Sequence, residues 1–185
     1  MSGTTTARGR QRVSQLVDAM LDAHFFFGGK RVAIGAEPDL LWALGAWCKD
    51  MGCEIAAAVT TTDSPVLTRL AADGVRLGDL EDLEGQAADC ELLITHSHGR
   101  QAAQRLGIPF LRMGLPIFDR LGAAHRVIVG YKGTRDLVFE VGNIFLANTH
   151  ELRPDDEVPG VRDDHCQGSP AGERACASPC RPDIP

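Results

Sequence analysis

The sequence predicts an α/β fold, a parallel sheet with helices on both faces. Two observations carry that reading. Short β-branched runs alternate with stretches whose apolar residues recur at three- and four-residue spacing, the strand and helix periods in alternation. Glycines 52, 74 and 107 each stand where such a stretch ends, within two residues of the next apolar run. With 185 residues and 44% hydrophobic content, the chain has room for one core.

The first helix is predicted from Val13, Leu16, Val17, Met20, Leu21 and His24, which fall on one stripe, and Gly28-Gly29 ends it. Residues 31–35 (RVAIG) read as the first strand. Pro38 then sits in the first turn of a helix whose stripe is Leu40, Leu44, Trp47, Cys48 and Met51, with Gly52 past its end. Residues 54–60 read as the second strand. Ser64-Pro65 reads as a capped helix start, with Val66, Leu67, Leu70 and Ala71 as its buried stripe. Residues 75–77 make a third strand and 91–95 a fourth. A helix over 99–106, stopped by Gly107, leads to a fifth strand over 108–111. The last helix spans about 134–148 and buries Leu137, Val138, Val141 and Phe145.

Parallel neighbours need crossovers, and right-handed crossovers with short loops give the strand order 3-2-1-4-5, a Rossmann-like arrangement. The topological switch then lies between the first and fourth strands. Ligands of open α/β sheets bind there, at the carboxyl ends of the strands, so loops 35–39 and 95–100 are where chemistry is expected.

Composition narrows the partners. The chain carries 19 Lys plus Arg against 25 Asp plus Glu and has no basic block, which argues against nucleic acid. No apolar segment follows the basic N-terminus as in a secretory signal, and no stretch approaches the roughly 18 apolar residues of a membrane span. A cytoplasmic protein is expected. Cys48, Cys53 and Cys90 lie in apolar patterned segments and read as buried thiols. From residue 151 the composition shifts to eight acids, four arginines and six of the ten prolines, with few large aliphatics. The domains read as a flexible N-terminus over 1–10, a folded domain over 11–150 and a disordered, Pro-rich acidic tail over 151–185. In that tail His165, Cys166, Cys176 and Cys180 have no established metal-ligand spacing and read as incidental.

Loop 35–39 is no dinucleotide fingerprint, since it offers one glycine and a carboxylate, Glu37, that repels phosphate. Loop 95–100 is richer. His96, His98 and Arg100 are the candidate binding residues there: helix amides with an arginine suit an anion, and paired histidines suit a proton or a metal. Against that stands a plain reading in which Ser97 caps the helix and the histidines bond neighbouring backbone or a partner chain. No nearby Asp, Glu or Cys completes a ligand set, so no metal ligand and no catalytic residue is assigned.

Several consecutive stretches carry a resemblance: 8–24 (RGRQRVSQLVDAMLDAH), 29–39 (GKRVAIGAEPD), 114–120 (GLPIFDR) and the helix entered through 130–133 (GYKG). Together they resemble the third domain of a β-type subunit in the nitrogenase component 1 family. The stretch 95–103 (THSHGRQAA) resembles the cofactor-assembly scaffold branch of that family more than its catalytic branch. The resemblance covers about residues 8–150. It implies a subunit that pairs with an α-like scaffold subunit in a two-fold heterotetramer. That assembly receives an iron-sulfur precursor of the iron-molybdenum cofactor and is docked by the nitrogenase iron protein during molybdenum and homocitrate insertion. It also implies that the ligands of the iron-sulfur cluster and of the maturing cofactor lie outside this chain, and it places Phe118, Asp119, Arg120 and His125 on the subunit interface. Asp119-Arg120 is then either an intersubunit ion pair or a solvated turn. Two other readings stand beside the scaffold: a catalytic β subunit of nitrogenase or a related dark-operating protochlorophyllide reductase, and a free-standing Rossmann-like module binding a small anion at Gly99-Arg100. If domains that once packed on it are missing, the 13–24 helix should expose apolar surface.

Overall fold

The computed structural model describes residues 6–70 and 74–148, so Ala71 and the tail cluster of His165, Cys166, Cys176 and Cys180 lie outside the described residues. Five parallel strands, β1 (Arg31–Gly35), β2 (Glu54–Thr60), β3 (Arg76–Leu77), β4 (Leu92–Thr95) and β5 (Phe110–Arg112), form one sheet in the order β3-β2-β1-β4-β5. This is the predicted Rossmann-like order. Strand β5 lies one to two residues later than the apolar run alone marks. Its register, Thr95 opposite Arg112, sets the geometry of the loops that follow.

Alternate residues of the buried strands serve opposite faces. Val32, Ile34, Ile55, Leu92 and Ile94 point to the larger core, beneath α1 (Ala7–Phe27), α2 (Pro38–Asp50) and α5 (Gly130–Asn148). Ala33, Val59 and Leu93 point to the smaller one, beneath α3 (Leu80–Gln86) and α4 (Arg100–Leu106). Pro38 stands in the first turn of α2, and Gly52, with φ +90°, turns the chain from that helix into β2. Leu137, Val138, Val141 and Phe145 of α5 are buried as predicted. Cys48, Cys53 and Cys90 are all buried free thiols.

Three expectations need correction. The first helix starts at Ala7, and its buried face is Ala19, Ala23 and Phe27 with Val13, Leu16 and Met20 beside it; Val17, Leu21 and His24 are exposed. Apolar residues cover more than half of this helix, and the small ones decide which face turns inward. A Cβ added at Gly142 of α5 would sit 3.7 Å from the Ala23 Cβ and 3.5 Å from the Phe27 ring, so alanine and glycine let the two helices approach closely. The segment after Ser64 is one 3-10 turn (Pro65–Arg69), not an α-helix; of its proposed stripe Leu70 is buried, while Val66 and Leu67 are only half-covered. Finally, α3 was not anticipated. It holds a single buried residue, Leu83, too few for a periodic signal. Its start is nevertheless written in Asp79 and Asp82, each accepting from the other's end of a capping box.

Candidate functional site: three loops at the carboxyl edge of the sheet

Because all five strands are parallel, the loops after β1, β4 and β5 emerge side by side at the predicted switch point. They are tied together. The Met113 amide donates to the Thr95 carbonyl (3.0 Å) and the Ser97 amide to the Pro116 carbonyl (3.1 Å), so loop 113–119 lies along loop 95–100. Ser97 does not cap the helix. Buried at 3% exposure, its hydroxyl accepts from the Phe118 amide (3.1 Å) and donates to the Asp119 carboxylate (2.5 Å).

Asp119 is therefore an internal brace. Arg112, placed opposite Thr95 by the β4–β5 register, grips it with both Nε (2.8 Å) and Nη2 (2.7 Å). That bidentate geometry is the strong form of a carboxylate hydrogen bond. Arg112, then Ser97, hold the Asp119 carboxyl far below the usual carboxylate range. The Arg112 guanidinium also lies 4.8 Å from the Phe110 ring centre, and its carbonyl accepts from Arg126 (3.1 Å), which pairs with Glu140 of α5. Residues 112–126 are thus fastened at both ends.

Of the two partners the plain reading allowed the histidines, neighbouring backbone is not bonded by either side chain. His96, His98 and Phe118 form an edge-on series, 5.4 Å and 5.0 Å between successive ring centres. Burial first, and then the neighbouring His98, pull the His96 imidazole below its ordinary value, with Glu37 opposing. Both contributions favour the neutral imidazole. Arg100 reaches Asp119 at 3.6 Å, so an anion at Gly99-Arg100 would meet the carboxylate already there. Arg120 and His125 are exposed and are not drawn into this cluster, His125 lying in the 3-10 turn Ala123–His125. Sequence reasoning grouped His96, His98 and Arg100, and the resemblance separately placed Phe118 and Asp119 on an interface; the structure brings the two sets together and adds Arg112, whose role depends on strand register.

Beside this constellation three large apolar side chains are exposed. Leu115, Phe118 and Leu121 are 86%, 63% and 101% exposed, on a loop that the brace holds in one shape. On the face of the larger core, α1 and α5 expose Val17, Leu21, Phe25, Phe139 and Leu146. No helix among the described residues is long and apolar enough to cross a membrane. Among the described residues no group of three His, Cys, Asp or Glu side chains is placed to hold a metal ion. The three described cysteines do not fit an iron-sulfur ligand set. Cys48 hydrogen-bonds Cys53, which with burial raises its pKa well above the ordinary thiol value, and Cys53 donates to the Phe27 carbonyl. Cys90 belongs to the core on the other face and is raised by burial. Thiolates, not such thiols, bind metal.

The family model described as nitrogenase component 1 type oxidoreductase matches residues 5–146. Among curated relatives, the nitrogenase iron-molybdenum cofactor biosynthesis protein NifN of Mesorhizobium japonicum is 57% identical over 80% of this chain and 32% of its own length. The protein of the same name from Bradyrhizobium diazoefficiens is 59% identical over 77% of this chain and 31% of its own. That from Klebsiella pneumoniae is 42% identical over 77% and 31%. The chain thus spans about a third of the length of these relatives. A solved structure described as nitrogenase Cp1 at pH 6.5 superposes with a TM-score of 0.75 at 30% identity, covering 88% of this chain and 38% of that one.

Proposed function

The chain belongs to the nitrogenase component 1 type oxidoreductase family, and from that premise we propose that it serves in the scaffold on which the iron-molybdenum cofactor is assembled before transfer to the catalytic protein. One observation carries the choice of branch. Relatives named for cofactor biosynthesis share 57% and 59% identity with it, whereas the nitrogenase structure shares 30%.

In this reading the cofactor precursor is cargo, and this chain acts by binding and shaping. Its described cysteines are buried in the two cores and are not placed to hold an iron-sulfur precursor. What this chain supplies is a rigid docking surface. The Ser97–Asp119–Arg112 brace fixes loop 112–126, and that loop presents Leu115, Phe118 and Leu121 to a partner. Exposed apolar side chains held on a fixed frame lose little entropy on association. The partner is an α-like scaffold subunit, in a two-fold heterotetramer that the nitrogenase iron protein docks, in the cytoplasm. Phe118 forms the contact, Asp119 positions it, and Arg120 and His125 flank it on the rim.

The test is co-purification from anaerobic cells expressing this chain with a tagged α-like scaffold subunit. Wild-type chain is expected in the eluate, and Phe118→Asp is expected to be depleted at least tenfold while keeping its thermal transition. Equal recovery of both would remove loop 112–126 from the interface, and absence of the wild type would remove the scaffold reading itself.

A further inference from the structure

A cavity of about 170 Å³ opens between the first and third of these loops and α3, floored by the carboxyl ends of β1, β2 and β4. We propose that it binds a small organic cation, a primary ammonium on a short branched aliphatic body. The floor contains an orphan. Thr95 is 0% exposed and its Oγ1 has no hydrogen-bond partner. Its rotamer is set by packing: the methyl group lies where a Cβ on Gly99 would come within 2.2 Å, which turns the hydroxyl toward Gly35. Gly35 in turn has no room for a side chain, since a Cβ there would sit 2.5 Å from Leu83 Cδ2 and 3.3 Å from Thr95 Oγ1. The second orphan is Nδ1 of His96, in the same wall. Buried polar atoms are almost always paired, so two residues of one cavity wall that each carry an unpaired polar atom, both able to accept, mark a place for a hydrogen-bonding ligand.

The lining chooses among donors. Glu37 and Asp79 stand at the cavity, and among the described residues no Lys or Arg does. A phosphate or carboxylate would meet two negative charges and no positive one. Asp79 already accepts from the Glu81 and Asp82 amides, whereas Glu37 accepts only a long bond from the Thr61 hydroxyl (3.4 Å) and keeps its lone pairs free for a ligand. Thr95 Oγ1, His96 Nδ1 in its Nε2–H tautomer and the Glu37 carboxylate supply three acceptors, matching the three donors of a primary ammonium. Val59, Leu80, Leu83 and Met113 form the apolar remainder. At roughly 30 Å³ per water-sized group, the space holds about six non-hydrogen atoms.

Isobutylammonium, isobutanol and isobutyrate share one body and differ in charge. Each is titrated into the ¹⁵N-labelled full chain and followed by two-dimensional NMR. The expected result is saturable movement of the amides at 35–37, 60–61, 95–96 and 113–115 with isobutylammonium. Its affinity should exceed that of isobutanol by about tenfold, in keeping with a charge-assisted bond, and isobutyrate should leave these amides unmoved. Thr95→Val, close in shape and without the hydroxyl, should weaken the ammonium by about tenfold. Glu37→Gln, at an exposed position, should erase the preference of ammonium over alcohol without disturbing the fold. Equal binding of isobutyrate, no binding of any probe, or an unchanged affinity in both variants would each overturn the proposal.

Discussion

Phe25, Phe26 and Phe27 follow one another in α1, and the structure assigns them opposite energetic roles. Phe27 is 0% exposed, edge-on to Trp47 (5.7 Å, 86°) and to Phe145 (5.3 Å, 89°), so it joins α1, α2 and α5. Phe25 is 89% exposed. Truncating a buried Phe to Ala costs about 3–5 kcal/mol through lost transfer energy and the cavity left behind. Each aromatic pair adds about 0.5–1.5 kcal/mol beyond area, which places Phe27→Ala in the upper half of that range, about 4–5 kcal/mol. For a domain of this size that is a fall in melting temperature of roughly 8–20 °C. Phe25→Ala should stay within about 0.5 kcal/mol of the wild type. Urea unfolding of the full chain, with both variants compared at the transition midpoint, reads the difference. If Phe25→Ala were as costly as Phe27→Ala, or if Phe27→Ala cost under about 2 kcal/mol, the assignment of the inward face of α1 would be wrong.

Gly99→Ala should destabilise by about 1–3 kcal/mol, because its Cβ would lie 2.2 Å from the Thr95 methyl in a packed floor; an unchanged melting temperature would contradict this. Asp119→Asn should speed hydrogen exchange of the Phe118 amide and its loop neighbours while leaving β1 and β4 protected, and uniform protection would show that the brace is not what holds the loop. Because the folded-state pKa of Asp119 is depressed, its contribution is full above the unfolded value near 3.9 and is lost only as pH falls below that toward the folded value. Its carboxyl carbon resonance should therefore hold steady from pH 7 to about pH 4, and a midpoint at or above 3.9 would contradict the brace. Cys48, Cys53 and Cys90 should resist iodoacetamide in the native protein and react on unfolding; peptide mass spectrometry showing equal native and unfolded rates would place these thiols outside the core.

The sheet was legible because its signal is local and redundant: β-branched runs, turn glycines and a proline at the start of α2 agree with one another, and right-handed crossovers leave one natural order. The inward face of α1 was not, since Val17 and Leu21 score as core by composition and only the close approach of Gly142 to Ala23 and Phe27 selects another face. α3 escaped because one buried leucine gives no period. At the site, the position of the loops followed from topology, and with it His96, His98 and Arg100. The partner of Asp119 did not. The sequence left Asp119-Arg120 as an intersubunit ion pair or a solvated turn, yet β5 carries Arg112 to the carboxylate, a pairing fixed by strand register. The Thr95 orphan was equally hidden, since a threonine ending a strand looks ordinary until Gly35 and Gly99 are seen to set its rotamer.

The central claim, membership of the assembly scaffold and not of the catalytic protein, is tested most directly by competition. This chain is co-expressed anaerobically with differently tagged α-like scaffold and catalytic α subunits, and its recovery with each is measured together with the iron content of the eluates. The account predicts recovery predominantly with the scaffold subunit, with no iron attributable to the described part of this chain. Recovery predominantly with the catalytic α subunit would contradict it.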